Sequence, residues 1–284
     1  MKALALLVWA TLGCSIDWSL ARRAPASDPN GGSGGTSGTG GTGGMGGVAS
    51  IQSVMIRCDD VFPLGDAPVV DGVLEPNLVL LRWLDDGDPD VPPGMGVTAA
   101  VAYRPDGVYF YMDVADPTRD PVPLDALDYC GDGVELYVDD DGVIQAPPAY
   151  DSPGTMQFIV AGPADSATPS HRGQRFMFPD TPSGDSTDLG DWTSDNFIAV
   201  PTSRGYAVEA FVMASDLDLD AWTLAPGGKI GWNMSLNSGG PQPPGIDACT
   251  TRNLQFHFRF ASSGSCTAPY CNASALCTPT LAVQ

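Results

Sequence analysis

A chain of 284 residues with a net charge of −21 and only 13 basic residues lacks the clustered Lys and Arg that phosphate contacts require, which excludes nucleic acid as a partner. Its acids are nearly all aspartate: Glu75, Glu135 and Glu209 are the only glutamates, and Lys2 and Lys229 the only lysines. Asp, Gly and Pro favour turns where Glu and Lys favour helices, so the composition predicts strands and turns and argues against a coiled coil.

Residues 1–14 carry the marks of an export signal. Lys2 supplies a positive start, residues 3–12 a short apolar run, and Gly13-Cys14 a small residue ahead of a cysteine. Ten apolar residues are too few to cross a bilayer as a helix. A small residue before Cys is similar to the lipobox of bacterial lipoproteins, in which Cys14 would carry the lipid, although Leu12 sits one place later than that pattern prefers. The alternative is an ordinary secretory signal. The chain is expected to be exported, either lipid-anchored to the cell envelope or secreted, and to meet a membrane through that anchor alone.

Residues 15–50 form a linker. Between 31 and 47, 11 of 17 residues are Gly, interrupted by Ser, Thr and one Met, a composition that cannot bury enough apolar surface to fold. As a flexible coil it would reach about 30–35 Å. Seven cysteines are an odd number, but setting Cys14 aside leaves Cys58, Cys130, Cys249, Cys266, Cys271 and Cys277. An even set in an exported protein is expected to form disulfides, whose connectivity the spacing leaves open. The absence of a C-x-x-C and the separation of His171 from His257 argue against zinc.

Residues 51–284 suffice for one large all-β domain. Short alternating or apolar runs predict strands at 97–103, 107–114, 134–139, 156–161, 197–200, 206–212, 229–236 and 254–260. The Arg104-Pro105-Asp106-Gly107 turn predicts a hairpin between the first two. Only the stretch 213–222 suggests helix, a turn or two around Ser215-Asp216-Leu217. No run sustains a 3.6-residue period, so the predicted fold is an antiparallel two-sheet β-sandwich, jelly-roll-like.

The strand at 134–139 places Val134, Leu136 and Val138 on one face, and Glu135, Tyr137 and Asp139 on the other. A carboxylate beside an aromatic ring suits a sugar, and the competing reading is a solvated outer face. Acidic loops at Asp85-Asp86-Gly87-Asp88 with Asp90, and at Asp139-Asp140-Asp141-Gly142, offer oxygens of the kind that Ca²⁺ prefers, without full EF-hand spacing. Hydrolysis would need two carboxylates on one surface. Asp132 and Glu135 face opposite sides of their strand, and Glu209 reads as a hydrogen-bonded structural residue, so no catalytic residue is assigned.

The order of motifs resembles the family 9 carbohydrate-binding modules, β-sandwiches appended to polysaccharide-degrading enzymes. The matching pieces are Val69-Val70-Asp71-Gly72, Gly107-Val108-Tyr109-Phe110-Tyr111 with Val114-Ala115-Asp116-Pro117, and Gly131-Asp132-Gly133-Val134-Glu135-Leu136. They continue with Gln157-Phe158, Gly205-Tyr206-Ala207-Val208-Glu209-Ala210 and Ile230-Gly231-Trp232-Asn233, spanning about residues 68–281. The resemblance implies a non-catalytic module for poly- or oligosaccharides, engaged in carbohydrate breakdown, that clamps a sugar end between two rings at Tyr129 and Tyr270. Glu135 would accept hydrogen bonds from sugar hydroxyls, with Gln157 and Asn233 supplying amides if they share its face. Where some members carry an arginine two residues after the glutamine, this chain has Ile159. Tyrosine in place of tryptophan at both platforms also reduces stacking area. The resemblance raises a structural Ca²⁺ as a cofactor, with Asp116, Asp132, Asp139 and Asp141 as possible ligands, and suggests a Cys130–Cys271 bridge between the two platform loops. The alternatives are a structural or protein-interaction sandwich that has lost sugar binding, or an accessory module of a glycoside hydrolase.

Overall fold

The computed structural model describes residues 52–85, 91–121, 130–143, 154–178, 187–193, 195–239, 254–259, 268–269 and 272–282. Two sheets face each other across one apolar core. The first takes β1 (Gln52–Met55), β2 (Val61–Pro63), β3 (Leu81–Leu84), β4 (Gly96–Arg104), β5 (Gly107–Ala115), β10 (Phe197–Pro201) and β11 (Gly205–Met213), ordered β1-β3-β4-β5-β11-β10 with β2 beside β4. The second takes β6 (Gly133–Asp139), β7 (Thr155–Ala161), β8 (Gly173–Met177), β9 (Thr187–Asp191), β12 (Gly231–Ser238) and β13 (Leu254–His257), ordered β13-β12-β6-β7-β8-β9. The all-β sandwich expected from the composition is therefore what the chain forms. The single helical hint resolves to one 3₁₀ turn, Ala214–Leu217.

The β4–β5 hairpin closes at the anticipated turn, with Arg104 opposite Gly107. The pleat sends Val97, Ala99 and Val101 of β4 inward with Val108, Phe110 and Met112 of β5. Val134, Leu136 and Val138 of β6 and Met156, Phe158 and Val160 of β7 meet them from the second sheet. Trp192 stacks on Phe197 at 4.2 Å and meets Phe158 in a tilted contact at 4.6 Å between ring centroids, so one ring touches both sheets. Its Nε1 donates to Asp216 Oδ1 at 2.9 Å, which satisfies the buried indole. Gly133 is a glycine for space: a Cβ there would stand 2.6 Å from the Val160 carbonyl of the neighbouring strand.

The outer face of the first sheet is half covered by the segment that carries Leu64, Leu78 and Leu80, packed on Ala100, Ala102, Tyr109, Tyr111, Ala207 and Phe211. Glu209 fastens that segment. Its Oε2 accepts from the backbone N–H of Asp71 at 2.8 Å and of Gly72 at 2.7 Å, and its Oε1 accepts from Tyr109 Oη at 2.8 Å. Two motifs separated by more than 100 residues thus hold each other, and Glu209 is the structural residue that the sequence suggested. Gly72 sits at φ +85°, a conformation that side chains resist, and this lets its N–H reach the carboxylate.

A disulfide joins Cys58 to Cys277, tying the segment after β1 to the far end of the domain. Cys130 is also disulfide-bonded. Its partner lies outside the described residues, as do Cys14, Cys249, Cys266 and Cys271.

Candidate functional site

The outer face of the second sheet carries a polar network centred on Glu135. Register explains its membership. Glu135 lies opposite Ser235 of β12 and Ile159 of β7, while Tyr137 lies opposite Asn233 and Gln157. Asn237 and Gln255 pair one step further along, as do Ser235 and His257. Alternation therefore puts all the predicted strand residues, Glu135, Gln157 and Asn233, on one face.

Among the described residues, four neutral donors converge on the Glu135 carboxylate. Tyr137 Oη at 2.5 Å and Gln157 Nε2 at 3.0 Å donate to Oε2. Asn237 Nδ2 at 2.8 Å and Gln255 Nε2 at 3.0 Å donate to Oε1. A carboxylate only accepts, so the NH₂ groups of both glutamines must face it, and their Oε1 atoms remain as acceptors on the other side of each amide. Gln157 Nε2 also reaches Tyr137 Oη at 3.1 Å. Beside this, Ser235 Oγ and His257 Nδ1 form a hydrogen bond of 2.5 Å.

The face is layered rather than open, which departs from the expected solvated or sugar-bearing strand surface. Glu135 is 1% exposed, and Tyr137 is fully buried against Phe178, Ala273 and Leu276. Gln157 at 7% and the half-buried Gln255 are the members nearest solvent. Asn237 is fully buried, and its Oδ1 has no hydrogen-bond partner. Asn233 shares the face, but its amide serves the scaffold: Nδ2 donates to the carbonyls of Ala275 at 2.7 Å and Arg259 at 3.1 Å, and Oδ1 accepts from Met234 N. Ile159 is buried opposite Glu135, so the arginine of the resemblance has an apolar replacement here. Tyr129 and Tyr270 lie outside the described residues.

Asn237, Gln255, Ser235 and His257 were missed from the sequence. Their signal was present as Asn233-x-Ser235-x-Asn237 and Gln255-x-His257, polar residues at every second position of neighbouring strands.

Asp132, at the mouth of β6, points to the opposite side of the strand from Glu135 and ties loops together. Its Oδ2 accepts from Asp120 N at 2.7 Å and its Oδ1 from Gly239 N at 2.9 Å. Burial, with Asp116 and Asp120 nearby, pushes its carboxyl up to about 7. Asp116 is raised by burial too; its Oδ1 accepts from Thr118 N at 2.9 Å, and its Oδ2 is buried without a partner. Among the described residues, one set of three acidic side chains could share a metal ion: Asp139, Asp140 and Asp141, whose oxygens lie within 4.8 Å of one another. Asp139 Oδ1 already accepts from Asp141 N and Gly142 N. Asp116 and Asp132 belong to no such set. Asp85 pairs with Arg82, and residues 86–90 are outside the described ones.

No family model matches the chain, and no curated protein matches it. The solved structures to which the chain is similar include a family 9 carbohydrate-binding module from Caldicellulosiruptor kristjanssonii in complex with cellotriose, and one from the same organism in complex with glucose. Each is 16% identical with a TM-score of 0.50, over 79% of this chain and over 93% and 96% of the respective modules. Likeness at this identity establishes the fold, a sandwich of the kind those modules have.

Proposed function

We propose that this chain is a non-catalytic carbohydrate-binding module that takes the end of a poly- or oligosaccharide on the outer face of its second sheet. The observation that carries the reading is the Glu135 network: a buried carboxylate holds the amides of Gln157 and Gln255 with their acceptor oxygens turned from it. Glu135 then acts as a positioning residue, and the glutamine Oε1 atoms accept the sugar hydroxyls. Tyr129 and Tyr270 supply the two faces that sandwich the ring. The similar modules were solved with cellotriose and glucose, so these sugars are the first probes. Hydrolysis is not part of the reading. Asp139 shares the face of Glu135 but stands four steps along the strand, about 13 Å away, beyond the spacing that either glycosidase mechanism uses.

Calorimetry of the full chain against glucose, cellotriose, and xylo- and manno-oligosaccharides tests the reading. Saturable binding that Tyr129→Ala weakens about 5- to 100-fold supports it, taking ring stacking at about 1–3 kcal/mol. No binding to any of these probes, or a Tyr129→Ala variant that binds like wild type, rejects it. The second reading, a sandwich that has kept the scaffold and lost the sugar, draws on the 1% exposure of Glu135 and on Ile159 in place of the arginine.

The module is further proposed to be exported and anchored by lipid at Cys14, with residues 15–50 as its tether. Metabolic labelling with a palmitate analogue should mark the wild type and not Cys14→Ser; equal labelling of both rejects the anchor.

A further inference from the structure

We infer that the outer face of the first sheet carries a second binding site, for a neutral polyhydroxylated ligand held through adjacent hydroxyls. A groove of about 590 Å³ runs across the end of that sheet, within the size range of small-molecule sites. It lies on the sheet opposite to Glu135, and Glu209 and its covering segment stop short of it.

The polar groups of the groove form a row set by register. Arg82 of β3 is opposite Thr98 of β4, and Thr98 is opposite Asp113 of β5. Arg204, just before β11, reaches Asp113 Oδ2 through Nη2 at 2.5 Å, and Arg82 pairs with Asp85. Each pair sets a planar donor beside a planar acceptor, the arrangement that two neighbouring hydroxyls satisfy by donating to one and accepting from the other. Pro117 lines the same groove and offers an exposed apolar surface for the C–H face of a ring, and Met95, buried in the core, lines it from beneath.

Two atoms within this row are unfinished. Thr98 Oγ1 and Arg82 Nε are shielded from solvent, and neither has a hydrogen-bond partner. They belong to residues directly opposed across β3 and β4. Buried polar groups of this kind are nearly always satisfied; a turn of the Thr98 side chain about χ1 would bring its hydroxyl from this shielded position to a ligand oxygen in the groove. The charge selects the class of ligand. Both guanidinium groups are already matched by a carboxylate, and the chain as a whole carries −21, so an anion gains no net attraction and meets a repulsive field.

The Met95 methyl group is the reporter. The full chain, labelled with ¹³C at the methionine methyls and assigned with Met95→Leu, is titrated with cellotriose, xylotriose and mannotriose as neutral probes and trigalacturonate as the anionic one. A saturable Met95 shift with at least one neutral probe is expected, weakened about 5-fold or more by Thr98→Val and restored by Thr98→Ser. Glu135→Ala should leave it unchanged, which separates this site from the one on the other sheet. The inference is overturned by the absence of a saturable shift with every neutral probe, which leaves water as the occupant. Equal shifts in wild type and Thr98→Val, or tighter binding of trigalacturonate than of the neutral probes, overturn it as well.

Discussion

Asp132 makes the stability of this domain depend on pH in a direction opposite to that of an ordinary salt-bridged acid. Asp132 is 4% exposed, and burial with Asp116 and Asp120 alongside raises its carboxyl to about 7, against about 3.9 in an unfolded chain. Between those values the folded state binds a proton that the unfolded state has released, so the stability of the fold falls as pH rises from about 4 to about 7 and levels off above. Three units at about 1.4 kcal/mol each set an upper bound of ~4 kcal/mol. Asp116 and Glu209 are also raised by burial and add slope of the same sign, so the wild-type curve alone does not isolate Asp132. Asp132→Asn does. The amide oxygen still accepts from Asp120 N or Gly239 N but not both, at a cost of about 1–2 kcal/mol, and it carries no charge to desolvate. The variant should therefore be less stable than wild type at pH 5 and should close or reverse that gap at pH 8. Urea unfolding followed by tryptophan fluorescence across this range, with the slope m unchanged, gives both curves. A constant difference between wild type and Asp132→Asn from pH 5 to pH 8 would refute the reasoning.

Two further outcomes test how the fold is fastened. Glu209→Ala leaves the N–H groups of Asp71 and Gly72 and the hydroxyl of Tyr109 without their acceptor and should cost about 3–5 kcal/mol; Glu209→Gln, keeping one acceptor, should cost less than half of that in the same urea assay. Replacing Cys58 and Cys277 together by Ser releases a closure of 219 residues, with a loss of at most ~5 kcal/mol in the chain-entropy model. The midpoint should drop by about 2–4 °C for each kcal/mol lost, and an unchanged midpoint would show that the bridge contributes nothing.

The central strands were legible because their alternation is unbroken: Val134, Leu136 and Val138 against Glu135, Tyr137 and Asp139 needed no knowledge of the partner strands. The edges were not. β9, Thr-Asp-Leu-Gly-Asp, is largely exposed and lacks apolar alternation, and β8 is only half-buried beyond Gly173. β1, β2 and β3 hold three or four residues each. Their strand character comes from pairing with neighbours, a tertiary effect that a local pattern does not carry. The site divides in the same way. The shared face of Glu135, Gln157 and Asn233 followed from period-two geometry, but which amides would reach Glu135 depended on register across four strands. Register set Asn237 and Gln255 on the carboxylate and turned Asn233 to the carbonyls of Arg259 and Ala275. The layering of Phe178, Ala273 and Leu276 over Tyr137 joins segments about 100 residues apart, so the sequence held no sign that this face would be covered.

The most direct measurement is cellotriose binding by the full chain, by calorimetry, in wild type, Glu135→Gln and Glu135→Ala, each shown by its unfolding transition to be folded at the temperature of the assay. If Glu135 positions the glutamine acceptors, the wild type binds saturably. Glu135→Gln, which keeps one acceptor for the surrounding donors, then weakens binding less than Glu135→Ala, which releases both glutamines and should cost about 10-fold or more. Folded variants that bind cellotriose as the wild type does, or a wild type that binds no sugar at millimolar concentration, would contradict the account.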